Sequence, residues 1–305
     1  MSIHPILHKL IADPLIKFYK SQPAKEQRKL WAERTRSFYL TSFKPKIIHK
    51  DLTIPARSHI LDARLYTPET YSDKIILFLH GGGWSLGSVD TYQLICDHLA
   101  HESQCQILSI DYRLAPEHKF PSALEDTIDS FHWLAEHAQI LNADPKKIIL
   151  AGDSAGGNLV AVLSHLIKNE EIQPIGQILW YPALDADYNY PSKEKYTDLM
   201  YMLDRNWLEW FYENYQRDES DRLNPQFSPM HFENFEKLPP AFILLPKLDP
   251  LYDESKLYTK KLKDANIDVT SFEHEHMVHG FLAYINVIPN ALQAIKQTAN
   301  WVSKL

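Results

Sequence analysis

The sequence predicts an α/β fold in which a mostly parallel, doubly wound sheet carries helices on both faces. From residue 74 onward, short apolar runs alternate with amphipathic segments at strand and helix lengths, joined by short connections. The glycines agree with this reading. The chain has only nine, and eight of them lie in three short segments: Gly81, Gly82, Gly83 and Gly87; Gly152, Gly156 and Gly157; and Gly280. Glycine is retained where the backbone must take positive φ or admit a close neighbour, so the clusters mark tight turns. A length of 305 residues suits one large α/β domain, or a core with a small cap.

The elements follow in order. Lys74 to His80 is a continuous apolar run, the pattern of a strand buried on both faces. Thr91 to His101 reads as a helix and Gln106 to Asp111 as the next strand. Phe120, Leu124, Ile128, Phe131 and Leu134 recur at helical spacing. Lys147 to Ala151 is a third buried strand, followed by a helix from Ala155 to Lys168. Ile175 to Tyr181 and Ala241 to Pro246 are further strands, and Asp253 to Asp264 and the last fifteen or so residues are helices. Two regions break the rhythm: residues 1–45 are helical, and residues 186–224 are dense in aromatic and charged side chains. Together they read as one helical cap over the C-terminal edge of a core formed by residues 46–185 and 225–305. The plainer alternative is that they are extra core helices.

Composition excludes several classes. Hydrophobic residues make up 45%, as in an ordinary globular protein. The net charge of -7 argues against nonspecific binding to nucleic acid or anionic membranes. Two cysteines, Cys96 and Cys105, cannot form a disulfide scaffold and suit a reducing, cytoplasmic setting. His4, His8, Lys9, Asp13, Pro14 and Lys17 interrupt the first twenty residues too often for a signal-peptide core or a membrane span. No cofactor motif is evident, and a monomer or a homodimer is expected.

Three motifs carry chemistry. Gly152-Asp153-Ser154-Ala155-Gly156 has the form G-x-S-x-G between a strand and a helix, the setting of a nucleophile elbow. A plain helix cap at Ser154 would not need glycine on both sides. His80-Gly81-Gly82-Gly83-Trp84 follows a strand directly, and its backbone N–H groups can face a developing oxyanion. With the N–H after the nucleophile, the expected donors are Gly82, Gly83 and Ala155. No Gly-Lys-Ser/Thr follows, so this is not a phosphate loop.

The expected chain order then places an acid and a histidine downstream. Asp249, just past the apolar run at 241–246, is the best acid; Asp253 is second, and looks more like a helix cap. Asp185, Asp187, Asp198 and Asp204 read as solvated or capping. Among the late histidines, His279 precedes Gly280-Phe281 at a turn into a helix and suits the base. His231 comes before the acid, His274 sits in what reads as an exposed last strand, and His276 is a minor rival. The spacing of His274, His276 and His279 also allows a metal cluster, but no cysteine or carboxylate motif completes one, so no metal is expected. Trp84, Leu203, Trp207, Phe211 and Phe281 are the candidate pocket residues.

These segments resemble the hormone-sensitive-lipase-like family of α/β-hydrolase esterases. The resemblance rests on His80 to Trp84, Asp111 to His118 with Phe120-Pro121 and Ala123 to Asp126, Gly152 to Asn158, Tyr181-Pro182, Asp249 to Leu251 with Asp253-Glu254, and His279 to Phe281. It implies an eight-stranded sheet with a helical cap and hydrolysis of short- to medium-chain acyl esters. It also implies the triad Ser154, Asp249 and His279, with His80 and Asp111 to Arg113 as supports for the loops. Lys247 and Ser255 depart from the usual pattern, and the cap matches only loosely. An amide-acting hydrolase would use the same residues. A noncatalytic receptor on the same fold would lack the histidine that stands here at 279. A metal-dependent hydrolase drawing on the late histidines would be inactivated by chelators.

Overall fold

The computed structural model describes residues 3–7, 23–38 and 45–305. Parts of the N-terminal cap expected over 1–45, residues 1–2, 8–22 and 39–44, lie outside the described residues. The sheet has eight strands: β1 (Ile47–Pro55), β2 (Ile60–Pro68), β3 (Ile75–Leu79), β4 (Gln106–Ile110), β5 (Ile148–Asp153), β6 (Gly176–Trp180), β7 (Ala241–Leu248) and β8 (Val269–Val278). Their spatial order is β1-β2-β4-β3-β5-β6-β7-β8. Strands β3 to β8 run parallel, while β1 pairs with β2 and β2 with β4 antiparallel. The α/β reading therefore holds, with an antiparallel hairpin added at one edge.

Side-chain alternation builds two core layers on this sheet. Ile75, Leu77 and Leu79 of β3 face one layer, with α3 (Ser122–His137), α4 (Ala155–Ile167) and α7 (Tyr252–Asp264). Ile76 and Phe78 face the other, with α2 (Gln93–Ser103) and α8 (Pro289–Val302). Each large apolar side chain buried this way stabilises the fold by about 1.5–3 kcal/mol, which explains the unbroken apolar runs of the central strands.

From sequence, no strand is expected before residue 74. The β1–β2 hairpin departs from this because His49, Lys50 and Asp51 of β1 face solvent, so the strand is no apolar run. Those polar groups also blunt an open sheet edge. α2 begins two residues later than expected, since Ser88 and Thr91 close a side-chain-bonded turn ahead of it: the Ser88 N–H donates to Thr91 Oγ1 at 2.8 Å.

The described residues also include the α-helices α1 (Ala24–Phe38), α5 (Pro191–Lys195) and α6 (Arg205–Tyr215). Asp204 caps α6, accepting from the Trp207 N–H at 2.8 Å. Arg28 ties α1 to the core: its Nε donates to the Ser85 carbonyl at 2.8 Å and its Nη2 to the Ala115 carbonyl at 2.7 Å. Among the described residues no helix is long and apolar enough to cross a membrane.

Candidate active site

The strand order reverses between β3 and β5: the chain leaves β3 toward β4 and returns on the other side as β5. Such a switch point opens a crevice beyond the C-terminal strand ends, where ligands of open α/β sheets bind. The loops after β3 and β5 are the ones that carry the glycine clusters.

Ser154 sits at the sharp turn from β5 into α4 with φ 53 and ψ -118. This left-handed backbone is costly for a residue with a side chain and persists only where its surroundings enforce it. Here the Ser154 N–H donates to the Trp180 carbonyl at 2.9 Å, and its own carbonyl accepts from the N–H groups of Asn158 at 3.0 Å and Ala183 at 3.1 Å. Its side chain caps nothing and faces the cleft.

The Ser154 hydroxyl lies 2.9 Å from His279 Nε2, and His279 Nδ1 lies 2.8 Å from Asp249 Oδ2. An ionised carboxylate can only accept, so Nδ1 carries the proton and Nε2 accepts from Ser154. Asp249 is fully buried, and its other oxygen accepts from the Leu251 N–H at 2.8 Å. Tyr181 sets its ring edge-on to His279, with centroids 5.0 Å apart. This line of three can pull the proton from Ser154 and hold the resulting imidazolium against a carboxylate.

The glycine loop bends toward the same point. Among the described residues, the N–H groups of Gly82, Gly83 and Ala155 meet no protein acceptor. Gly83 has φ 58, and a Cβ there would stand 2.0 Å from the Phe211 ring, so only glycine fits beneath α6. Asp153 fastens this loop to the elbow. Its Oδ1 accepts from the Gly81 N–H at 2.7 Å and its Oδ2 from the Tyr92 hydroxyl at 3.0 Å. Burial pushes the Asp153 carboxyl up to about 6, against the lowering effect of these bonds. His80 supports the loop from behind. Its Nδ1 bonds the Gly81 carbonyl at 2.8 Å, its ring stacks on Tyr112 at 4.2 Å, and burial lowers its pKa to about 4. Tyr112 donates to the His80 carbonyl at 2.6 Å, and Arg113 grips buried Asp126 at 2.8 Å.

The cleft over Ser154 is walled by Leu203, Trp207 and Phe211, three of the five pocket residues expected from sequence. The other two require correction. Trp84, with φ 54, turns its indole into the core, where it stacks parallel on Tyr215 at 4.5 Å. Phe281 is buried under the histidine loop, 6.0 Å from Tyr181 and 5.2 Å from His274. Both support the walls without lining the cleft. The lining that sequence missed includes Trp31 and Arg34 of α1, Tyr92 just before α2 and Ile95 within it, Tyr181 and Met202. Only Tyr181 carried a signal, in its Tyr-Pro pair directly after β6.

Three smaller expectations also change. Asp253 lies inside α7 rather than capping it, and accepts from the Ser192 N–H at 2.8 Å, fixing α5 beside the Asp249 loop. His274, expected in an exposed strand, is buried, with its ring 5.2 Å from that of Phe281. Asp185 is buried too, accepting from the Tyr190 hydroxyl at 2.7 Å. The two departures from the family pattern stay off the reacting atoms: Lys247 pairs with Glu275 at 2.6 Å and Ser255 donates to the Pro182 carbonyl at 3.2 Å. Among the described residues no three His, Cys, Asp or Glu side chains are grouped to hold a metal ion.

A doubly wound sheet with a serine elbow at its switch point defines an α/β hydrolase. The family model described as alpha/beta hydrolase fold matches residues 76–283, and the chain belongs to that family. It is 34% identical to ethyl acetate hydrolase of Pseudomonas putida over 248 residues, covering 79% of this chain and 78% of that one. It is 35% identical to carboxylesterase NlhH of Mycobacterium tuberculosis over 241 residues, covering 77% of this chain and 75% of the other. Among solved structures, the hyperthermophilic esterase of the archaeon Pyrobaculum calidifontis superposes with a TM-score of 0.94 at 33% identity, over 100% of this chain and 99% of that one. The resemblance to hormone-sensitive-lipase-like esterases is thereby upheld.

Proposed function

We propose that this carboxylic ester hydrolase works by acyl transfer through Ser154, with His279 as base and then acid, Asp249 as its orienting carboxylate, and Gly82, Gly83 and Ala155 as oxyanion donors. The observation that carries the reading is the hydrogen-bonded line from buried Asp249 through His279 to Ser154, at 2.8 and 2.9 Å, ending in the cleft. Ser154 Oγ attacks the ester carbonyl as His279 takes its proton, and the carbonyl oxygen becomes an oxyanion against the backbone N–H groups. Collapse expels the alcohol, protonated by His279, and leaves an acyl-Ser154 ester. Water, activated by the same imidazole, hydrolyses that ester and frees Ser154.

Residues 1–45 and 186–224 act as a cap on the core of residues 46–185 and 225–305. The support is that Trp31, Leu203, Trp207 and Phe211 wall the cleft from that side. The tight aromatic wall favours short- and medium-chain acyl groups, and a relative named for ethyl acetate fits that range. Two buried thiols without a disulfide fit work in the cytoplasm, as a monomer or a homodimer, and the acidic surface disfavours nucleic acid. The test is Ser154→Ala assayed on an aryl acetate. Its kcat should fall by about 10⁴ to 10⁶, and a phosphonate inhibitor should label the native protein at Ser154 alone. Near-native turnover by the variant would refute the mechanism.

A further inference from the structure

We propose that Ser192, on the short helix α5, is a positioning residue for Asp249: it holds the turn that aims the carboxylate at His279, and Lys193 locks the helix in place. The inference rests on the acyl-transfer reading above and adds a residue that acts through the acid.

Asp249 follows β7 directly, so the turn after it decides where its carboxylate points. Within that turn the Leu251 N–H donates to Asp249 Oδ1 at 2.8 Å and the Tyr252 N–H to the Asp249 carbonyl at 3.1 Å. These bonds shape the turn from inside. The turn runs straight into α7, and the first N–H groups of a helix need acceptors from outside it. Leu251 stands at the capping position and has no polar side chain to offer. Ser192 supplies the cap from another segment. Its hydroxyl accepts from the Asp253 N–H at 3.2 Å and donates to the Pro250 carbonyl at 2.7 Å, while its own N–H donates to Asp253 Oδ2 at 2.8 Å. A hydroxyl and a carboxylate that each satisfy the other's N–H form a capping box. Here the two residues are 61 apart in the chain. Both roles of the buried hydroxyl are in use, and both act on the residues just after Asp249.

Lys193 fixes α5 against this turn. Its side chain is buried, and its Nζ donates to the carbonyls of Asp185 at 2.6 Å and Asp187 at 2.7 Å and pairs with the Glu254 carboxylate. All three ammonium donors are therefore taken. A buried charge stripped of its partners is costly, so α5 cannot slide away from α7. Glu254, in the first turn of α7 and buried too, accepts from the Leu184 N–H at 2.7 Å. One residue earlier, the Ala183 N–H donates to the Ser154 carbonyl at 3.1 Å. The network thus reaches the backbone of the nucleophile and the turn of the acid, the two ends of the line that His279 spans. A misplacement of about 1 Å in such a line can cost about 10² in rate.

The experiment starts from Ser192→Ala, which removes one oxygen and leaves the buried ion pair intact. On 4-nitrophenyl acetate, kcat per folded molecule should fall about 10- to 100-fold. KM should stay within about twofold, the pattern of an interaction that serves the transition state alone. The readout that separates positioning from general support is the Asp249→Asn background. That change alone should cost about 10⁴ in kcat. Adding Ser192→Ala to it should cost no more than about twofold further, because no carboxylate is left to aim. Lys193→Met combined with Glu254→Gln removes both buried charges while keeping an acceptor for the Leu184 N–H, and should give the same pair of results. Native kcat in Ser192→Ala overturns the proposal. So does a loss as large in the Asp249→Asn background as in the native one, which would mean that Ser192 acts on the fold and not through the acid. Near-native turnover by Asp249→Asn alone would instead refute the acyl-transfer mechanism, so the two readings fail separately.

Discussion

At the residue scale, two positions show how little slack the site has. A Cβ on Gly156 would lie 1.9 Å from the Leu79 carbonyl oxygen, which is backbone of the central strand and cannot rotate away. Gly156→Ala should therefore push α4 off β3, destabilise the protein by about 1–3 kcal/mol and misplace Ser154. Urea unfolding and kcat check both, and a variant with native midpoint and activity would show that α4 has room to move. His80 offers a pH test. Burial lowers its pKa to about 4, whereas an unfolded chain restores the ordinary value of about 6.5. Between those values the unfolded state binds the extra proton, so stability rises with pH through the window. The contribution is whole above 6.5 and is lost as pH falls toward 4, at about 3 kcal/mol in all. Asp111 and Asp153, raised to about 6 by burial, act with the opposite sign in the same range. The comparison must therefore be between variants. His80→Asn keeps a donor for the Gly81 carbonyl and does not titrate. Its loss of unfolding free energy from pH 7 to pH 4 should be smaller than the native protein's by about 3 kcal/mol. Equal losses would mean that His80 is protonated in the fold.

At the scale of elements, α6 is the part that closes the cleft. Phe211 lies against Gly83 and stacks on Trp207 with centroids 5.1 Å apart. Removing its ring opens the space above the Gly82–Gly83 loop. Phe211→Ala should shift the preferred acyl chain of a 4-nitrophenyl ester series toward longer members, and an unchanged optimum would place the acyl group elsewhere. The elements differ in how far sequence revealed them. β3, β5, β6 and β7 were visible as apolar runs because both faces are covered. The β1–β2 hairpin was not, because a half-solvated edge strand mixes charges with its apolar positions. Helix α1 was seen as a helix, but its place on the cleft was invisible, since Arg28 fixes it through carbonyls 57 and 87 residues away.

For the whole molecule, the proposed substrate range follows from how the proposed cap, residues 1–45 and 186–224, would meet the sheet. Each methylene buried in the cleft adds about 0.8 kcal/mol, close to fourfold in kcat/KM, until the tail outgrows the wall and overpacking costs about 1–3 kcal/mol. Rates should climb over the shortest acyl chains and then fall. Triglyceride emulsions should give no burst of activity at the oil surface, because no long apolar lid is evident in the sequence. A rate that kept rising to long-chain emulsions would identify a true lipase and overturn this view of the cap.

The residues of the proposed reacting groups, which the fold brings together at one cleft, were legible in the chain because each sits in a local pattern with a local cause. Ser154 needs glycines on both sides to turn sharply out of a buried strand, Gly82 and Gly83 need an unscreened backbone, and Asp249 must follow a strand end. Those requirements act over a few residues and so leave their mark in the chain. Walls of a cleft obey no such rule. Trp84 looked like lining but is turned into the core by a positive φ, Phe281 is buried under its own loop, and Arg34 arrives from a helix 120 residues before Ser154. What surrounds the substrate is set by which side chains converge from distant elements, and only packing in three dimensions decides that.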